Sequence, residues 1–463
     1  MLQNTSHTIK SEIKSNLSVS LPLIVTNTIF SFSNFLGTAM IAKLGQDALA
    51  ASVLVSMMWA SLSVLFMGIL NSICVLVSHQ YGAKNEKAIS QIMGQAYLLG
   101  LMVCLLVIGA LYSMEFFLEW SGQPRAVLLL SYDYLHSLMW TVPALVVWIV
   151  TEQFLMGIGY TKLVLRISFL VVPVEIPLIY ALIFGKWGLP QCGIAGIGYA
   201  FAISYTLSAI GLIIYLLHAK KYKSFRIFSA MNKIHIPYLK ALVRIGFPLG
   251  LMQVIEVSAF AITTFWIAHF GTINLAAHQI VMQYLGFAIT AVFAMSQAVT
   301  IRVGHAVGRQ DLVGIKYAIY VGILLNFCLV SIIAYAFYAF PMLLLSLDID
   351  VRNELNIDLI NNAVELFAIA GLLLLFDNIR IVGFGALRGL KDARFSMVTS
   401  LIAFWFIGLS IAFILGFYFE QEGSGIWWGL TLGIASGAFI VLGRLRYFLA
   451  YLDHEKLAKL GQV

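Results

Sequence analysis

Twelve apolar runs, each long enough to cross a bilayer and nearly free of charge, divide this chain and leave it few ways to fold. They lie near 17 to 43, 50 to 79, 89 to 118, 129 to 156, 163 to 185, 195 to 218, 241 to 270, 275 to 305, 314 to 346, 360 to 386, 395 to 418 and 425 to 448. A helical span needs about 20 residues at roughly 1.5 Å each, and backbone polar groups in hydrocarbon must be satisfied within their own segment. The runs lack the short alternating pattern of barrel strands. The expected fold is therefore an all-α integral membrane protein of twelve transmembrane helices. Composition agrees, with 61% hydrophobic and 11% charged residues, against about 25% charged in soluble domains. The polar start MLQNTSHTIKSEIKSNLSVS shows no cleavable leader pattern, so the first run is expected to be a retained span. Cys74, Cys104, Cys192 and Cys328 form no CxxC and point to neither a disulfide framework nor a zinc site.

The runs also repeat. At an offset of 226 residues, Pro22 falls on Pro248, Leu23 on Leu249, Gly45 on Gly271, Leu49-Ala50-Ala51 on Leu275-Ala276-Ala277, His79 on His305 and Gly82 on Gly308, without a gap. Six spans per copy is an even number, so the copies face the same way, as a parallel tandem repeat of two six-helix lobes. The expected boundaries are an N-lobe over 1–218, an inter-lobe loop over 219–237 (AKKYKSFRIFSAMNKIHIP) and a C-lobe over 238–463. With the N-terminus inside, every Lys and Arg outside the spans falls on the inner side except Lys43, Arg125, Lys186 and Arg352. Both termini and the inter-lobe loop are thus expected to be cytoplasmic, in a multi-pass plasma (inner) membrane protein. The same placement accounts for the net charge of +7 without nucleic acid, and the basic loop reads as a positive-inside anchor. The acidic segment 346–359 reads as a small surface element without assigned function.

Three carboxylates lie deep in the spans, Glu175 in the fifth, Glu256 in the seventh and Asp377 in the tenth. Intramembrane charge is costly and marks a site by default. Counted from Gly246 and from Arg388, Glu256 and Asp377 sit about 15 and 16 Å from the same inner end at 1.5 Å per residue, in one lobe. Two carboxylates in a shared cavity cannot both ionise cheaply, so a proton is exchanged there unless Na⁺ neutralises both. The structural alternative has a named partner. Arg380, three residues after Asp377 and on the same helical face, is its candidate counter-ion, which would leave Glu256 alone to carry protons. Glu175 sits between Pro173 and Pro177, which bend a membrane helix and free backbone carbonyls; the alternative is a core hydrogen bond, for instance near Asn34. Under the repeat Glu256 has no acidic twin, because its counterpart is Phe30. Glu152, near the inner end, and His79 and His305, at matching helix ends where a cation favours the dipole, read as structural. Trp59, Trp148, Trp266 and Trp405 are candidate cavity aromatics, able to offer a face to a flat cation.

LAAHQI at 275–280 followed by RVGHAVG at 302–308, with the degenerate echo LAASVLV and SHQYGAKNE, resembles a signature of the multidrug and toxic compound extrusion (MATE) family. So does FDNIRIVGFGALRGLKDARFS at 376–396, whose ALRGLKDAR is echoed by FLMGIGYTK at 154–162, and so does VEIPLIYALIFG at 174–185. The resemblance spans essentially the whole chain. It implies that Glu256 and Asp377 are the cation-binding carboxyls of a NorM-type branch, and it implies export of organic cations driven by Na⁺ or H⁺. Family members commonly carry an Asp in the first helix where this chain has Gly37, and an Asn and an Asn or Asp in the fifth where it has Glu175 and Ile179. A neutral Gln-like residue is usual where Arg380 stands. Glu175 is the candidate to supply the charge missing at Gly37.

The function expected is a cation-coupled antiporter, exporting cationic or amphipathic small molecules by rocking its lobes about a central cavity. It needs no cofactor beyond the transported Na⁺ or H⁺, with Na⁺ at Glu256 and Asp377 the one metal candidate, and its partners are the substrates and membrane lipid, with the protein a monomer. The alternative within transport is a lipid-linked precursor flippase of the wider superfamily, which needs a cationic cavity for pyrophosphate. The alternative outside it is a polytopic membrane enzyme, for which no HExxH, GxSxG or P-loop appears; the chain is therefore not expected to be an enzyme.

Overall fold

The computed structural model describes residues 9–461 apart from 121, 229 and 232, and every regular element among them is a helix. In chain order these are α1 (Ile9–Ala42), α2 (Gln46–Leu70), α3 (Ser72–Gly82), α4 (Glu86–Trp120), α5 (Arg125–Gly157), α6 (Thr161–Phe184), α7 (Ala195–His218), α8 (Ile236–His269), α9 (Thr272–Gly308) and α10 (Leu312–Ala339). Then follow α11 (Pro341–Leu345), α12 (Ile357–Gly389), α13 (Ala393–Ser400), α14 (Leu409–Phe413), α15 (Glu422–Ala450) and α16 (His454–Gly461). Among the described residues, twelve segments are long and apolar enough to cross a membrane. One joins α2 and α3 across Asn71, and another runs from α13 through two π-helical stretches, Leu401–Gly408 and Ile414–Tyr418, on either side of α14. The acidic segment after α11 is a set of surface turns with one 3₁₀ turn, Glu354–Asn356.

The helices fall into two compact units. Among the described residues the C-unit holds 9–24 together with 251–461, and the N-unit holds Val25–Gly250. Ile24 and Gly250 are equivalent under the repeat, and each follows its helix's internal proline, Pro22 or Pro248, by two residues. Close contacts explain the assignment at both crossings. The start of α1 is held in the C-unit because Arg302 of α9 donates from Nε and Nη2 to the two oxygens of Glu12, at 2.9 and 2.6 Å. The start of α8 is held in the N-unit by backbone approach, with Gly246 against the Ile69 carbonyl and Gly250 against Gly68, the small-residue packing that replaces hydrophobic drive inside a bilayer. The basic loop 219–237 packs on its own unit: Ser90 Oγ donates to the Arg226 carbonyl at 2.9 Å and Gln95 Nε2 to the Lys233 carbonyl at 2.9 Å.

The repeat extends to backbone conformation. Gly45 and Gly271, at φ 116° and 104°, precede α2 and α9 in a region closed to L side chains. At the ends of α3 and α9, Lys84 and Gln310 both turn left-handed, at φ 57° and 61°. The next residue caps the following helix in each copy: Asn85 Oδ1 accepts from the Ala88 amide at 3.1 Å and Asp311 Oδ1 from the Gly314 amide at 2.8 Å. His79 and His305 lie in the preceding turns, their carbonyls accepting from Ala83 and Arg309 at 3.0 and 3.1 Å.

In the C-unit α12 is the hub. A Cβ on Gly385 would run into the Ser296 carbonyl of α9, one on Gly389 would meet Val303 of α9, and one on Gly383 would run into Val441 of α15. Ser296 Oγ donates to the Ile381 carbonyl at 2.6 Å and Thr300 Oγ1 to the Gly385 carbonyl at 2.8 Å, so α9 and α12 are tied by backbone as well as by packing. Inserting even one methyl into such a seam costs about 1–3 kcal/mol. Gly385→Ala is therefore expected to lower the melting temperature clearly, whereas Gly286→Ala on α9, where a Cβ meets nothing within 4 Å, should change stability by no more than about 0.5 kcal/mol or raise it slightly. Thermal unfolding of the two variants in one detergent checks this, and equal behaviour would contradict the seam.

Candidate functional site

The C-unit brings Glu256, Asp377 and Arg380 into one cluster. Asp377 and Arg380 share a face of α12, and Arg380 donates to Asp377 Oδ1 from Nε at 2.8 Å and from Nη2 at 2.7 Å. The same guanidinium reaches α8, with Nη1 at 2.5 Å from Glu256 Oε1 and Nη2 at 3.3 Å from Oε2. Sequence spacing placed Arg380 beside Asp377 and left open whether it also meets Glu256. In the structure the planar fork of arginine serves both acids at once, because its five donors point in several directions. A further donor, invisible in the sequence, is Ser400 at the end of α13, whose Oγ lies 2.6 Å from Glu256 Oε1.

Apolar groups close the site around the charges. The guanidinium carbon lies 4.9 Å from the ring centre of Phe404 and 5.2 Å from that of Phe384, both within cation–π range. Gly437 of α15 makes room for the arginine stem, since a Cβ there would lie 3.1 Å from Arg380 Cδ. Phe404 sits on the π-helical stretch Leu401–Gly408, a wide turn frequent at functional sites. The side chains of Arg380 and Asp377 are 2% and 3% exposed while that of Glu256 is 12% exposed, so Glu256 is the approachable member. With all three groups ionised the cluster carries one net negative charge.

The remaining residues singled out above fall in several places. Trp405 adjoins the cluster: its Nε1 donates to the Ile255 carbonyl at 3.2 Å and the residue is 41% exposed. Trp266 packs edge-on against Phe413 and Phe417. Trp59 and Trp148 belong to the N-unit, where Trp59 packs on Phe66 and Trp148, at 3% exposure, has no face to offer a ligand. The sequence could not separate these four, because one tryptophan per apolar span looks the same whether it faces core, lipid or cavity.

Glu175 is buried in the N-unit, and its Oε1 accepts from Ser33 Oγ of α1 at 2.5 Å, while Oε2 has no hydrogen-bond partner among the described residues. The bond goes to Ser33 rather than to Asn34, which is exposed; one residue turns a helical side chain by about 100°. One turn further along both helices, Gly37 is closed over by Ile197, with Ile179 beside it. Charge therefore enters the α1–α6 seam one turn away from the position that the MATE resemblance assigns to the first-helix Asp. Tyr205 of α7 lies within electrostatic reach of both Glu175 and Glu152, which places half-buried Glu152 in the same neighbourhood. No group of three or more metal-ligating side chains occurs among the described residues.

The family model described as MatE matches residues 22–181 and 248–414, once in each copy of the repeat. A probable multidrug resistance protein NorM of Synechocystis sp. is 29% identical over 439 residues, covering 94% of this chain and 95% of the relative. The multidrug resistance protein NorM of Photobacterium profundum is 28% identical over 458 residues, covering 98% and 99%. Among solved structures, a MOP-superfamily transporter from Pyrococcus furiosus superposes with a TM-score of 0.86 at 17% identity over 95% of this chain and 97% of that one. The eukaryotic MATE transporter AtDTX14 superposes with a TM-score of 0.83 at 16% identity over 98% and 99%. With both of its halves matched and twelve membrane helices arranged as two six-helix repeats, the chain belongs to the MatE family of membrane transporters.

Proposed function

We propose that this protein exports organic cationic or amphipathic compounds by alternating access, driven by an inward flow of H⁺ or Na⁺, with both termini on the cytoplasmic side. The observation that carries this reading is the cluster of two carboxylates and one guanidinium. Arg380 neutralises one carboxylate's worth of charge, so a single negative charge stands over in an apolar setting. One proton, one Na⁺ or one cationic group of a substrate can fill it, and the occupants exclude one another. That exclusion is the coupling, because a ligand shifts a conformational equilibrium only through its differential affinity for the two states. The NorM names of the relatives support drug compounds as the cargo. Trp405 beside Glu256 offers an aromatic face to such a cation. Glu175 is proposed as a second acid on the route, held by Ser33, and no step in this scheme makes or breaks a covalent bond.

In proteoliposomes, an imposed gradient of H⁺ or of Na⁺, each applied alone, is expected to drive ethidium export by the wild type. Glu256→Gln should reduce the driven component roughly ten- to a hundredfold, the range of ordinary coupling energies, and Asp377→Asn should reduce it similarly. Transport indifferent to both gradients would sink the antiport reading.

Removing the arginine gives an independent check. Arg380→Gln leaves two buried carboxylates without their partner, at a cost of about 3–5 kcal/mol; the melting temperature should fall, and Asp377→Asn in the same chain should restore most of it. If the doubly charged site still transports, the dependence of rate on the coupling ion should steepen from an order of about one towards about two, since two charges must then be neutralised. An unchanged order with unchanged stability would contradict the single-charge account.

A further inference from the structure

We propose that the cleft between α6 and α7 in the N-unit binds one anionic phospholipid, with its phosphate at Arg166 and an acyl chain lying along the cleft. At one end the two helices touch: a Cβ on Gly196 of α7 would lie 2.8 Å from the backbone of Leu182 and Ile183 on α6. From there they diverge. Fifteen residues further along α7, a Cβ on Gly211 meets nothing within 4 Å. The antiparallel register set by Gly196 and Leu182 places Gly211 level with Ile167, so the opening there lies about one and two-thirds turns from the start of α6, beside Arg166. The result is a groove of about 490 Å³ lined mainly by aliphatic side chains, among them Leu163, Leu170 and Val174 of α6 and Leu207 of α7.

The wide end is cationic. Arg166 lines the groove there, five residues into α6, which is about 8 Å at 1.5 Å per residue, the depth at which headgroups give way to acyl chains. Arg166 and Lys162, one turn before it, are both exposed, and neither has an ion pair among the described residues. Just past the end of α7, Lys221 Nζ lies 3.7 Å over the ring of Tyr160, which adds a further positive charge at this end. An aliphatic slot with unpaired basic groups at its mouth is complementary to a chain bearing a phosphate, and basic pockets between transmembrane helices are recognised sites for anionic lipid. The groove shares no residue with the Glu256 cluster, so its occupancy is independent of the transport reading.

The test uses the full-length protein, purified and equilibrated with equal amounts of dioleoylphosphatidylglycerol and dioleoylphosphatidylcholine, with retained lipid counted by native mass spectrometry. The wild type is expected to keep one phosphatidylglycerol in preference to phosphatidylcholine. Arg166→Gln should reduce that preference about fivefold, the effect of a single basic residue facing anionic lipid, and Arg166→Lys should keep it. Gly211→Leu fills the slot and should lower retention of both lipids, with the melting temperature confirming that the variant is folded; should it fail to fold, the Arg166 pair decides alone. No headgroup preference in the wild type, or the same preference in Arg166→Gln, would overturn the proposal.

Discussion

One guanidinium held between two carboxylates is the constraint around which the C-unit is arranged. A charge removed from water into an apolar interior costs several kcal/mol unless partnered and hydrogen-bonded, and here three charges must be accommodated together. Every nearby element contributes to that. Helix α12 sets Asp377 and Arg380 on one face, α8 supplies Glu256, the end of α13 supplies the Ser400 hydroxyl, and the π-helical stretch turns Phe404 over the guanidinium. Gly437 leaves the space that the arginine stem fills. Any one change leaves the others with an unsatisfied group, which is why a cluster of this kind specifies its surroundings more than it stabilises them.

The scaffold was legible in the sequence because its signals are physical and local. Apolar length identifies a span whatever its neighbours do, and the offset of 226 that aligned Gly45 with Gly271 and Gly82 with Gly308 carries through to the same left-handed turn at Lys84 and Gln310. The acids stood out because an intramembrane carboxylate is rare. Their partnerships were less visible. Spacing of three residues announced Arg380 with Asp377, but the bond to Glu256 joins residues 124 apart and depends on how α8 meets α12. Ser33 for Asn34 and Trp405 among four tryptophans are matters of helical phase, which a hydrophobic run does not record, and a π-helical turn shifts that phase again for everything after Ser400.

The two copies kept their turns and lost their common chemistry for different physical reasons. A cap or a left-handed turn is fixed by backbone geometry, so drift at Asn85 and Asp311 is confined to residues that can still accept the same amide. A buried charge is fixed only by its partners, and partners can move together. In the N-unit the acid of the α1–α6 seam sits at Glu175 with Ser33, while the adjoining turn is filled by Ile197 over Gly37. An aspartate at position 37 would therefore have to displace Ile197.

The contrast between the two acids of the cluster bears on which of them a cation would meet first. Asp377 already receives two bonds from Arg380 and is almost sealed, so a cation reaching it must dislodge the guanidinium from the carboxylate it holds more completely. Glu256 is more open, and one of its two bonds to Arg380 is long at 3.3 Å. A proton or small cation at Glu256 costs the cluster only part of one ion pair and leaves Arg380 still neutralised by Asp377. The Asp377 side chain is 3% exposed and that of Glu256 12%, so the Glu256 side is the more open approach to the cluster. Under the proposed antiport scheme, this geometry would bring both competitors for the single charge to Glu256 and leave Asp377 to hold the arginine.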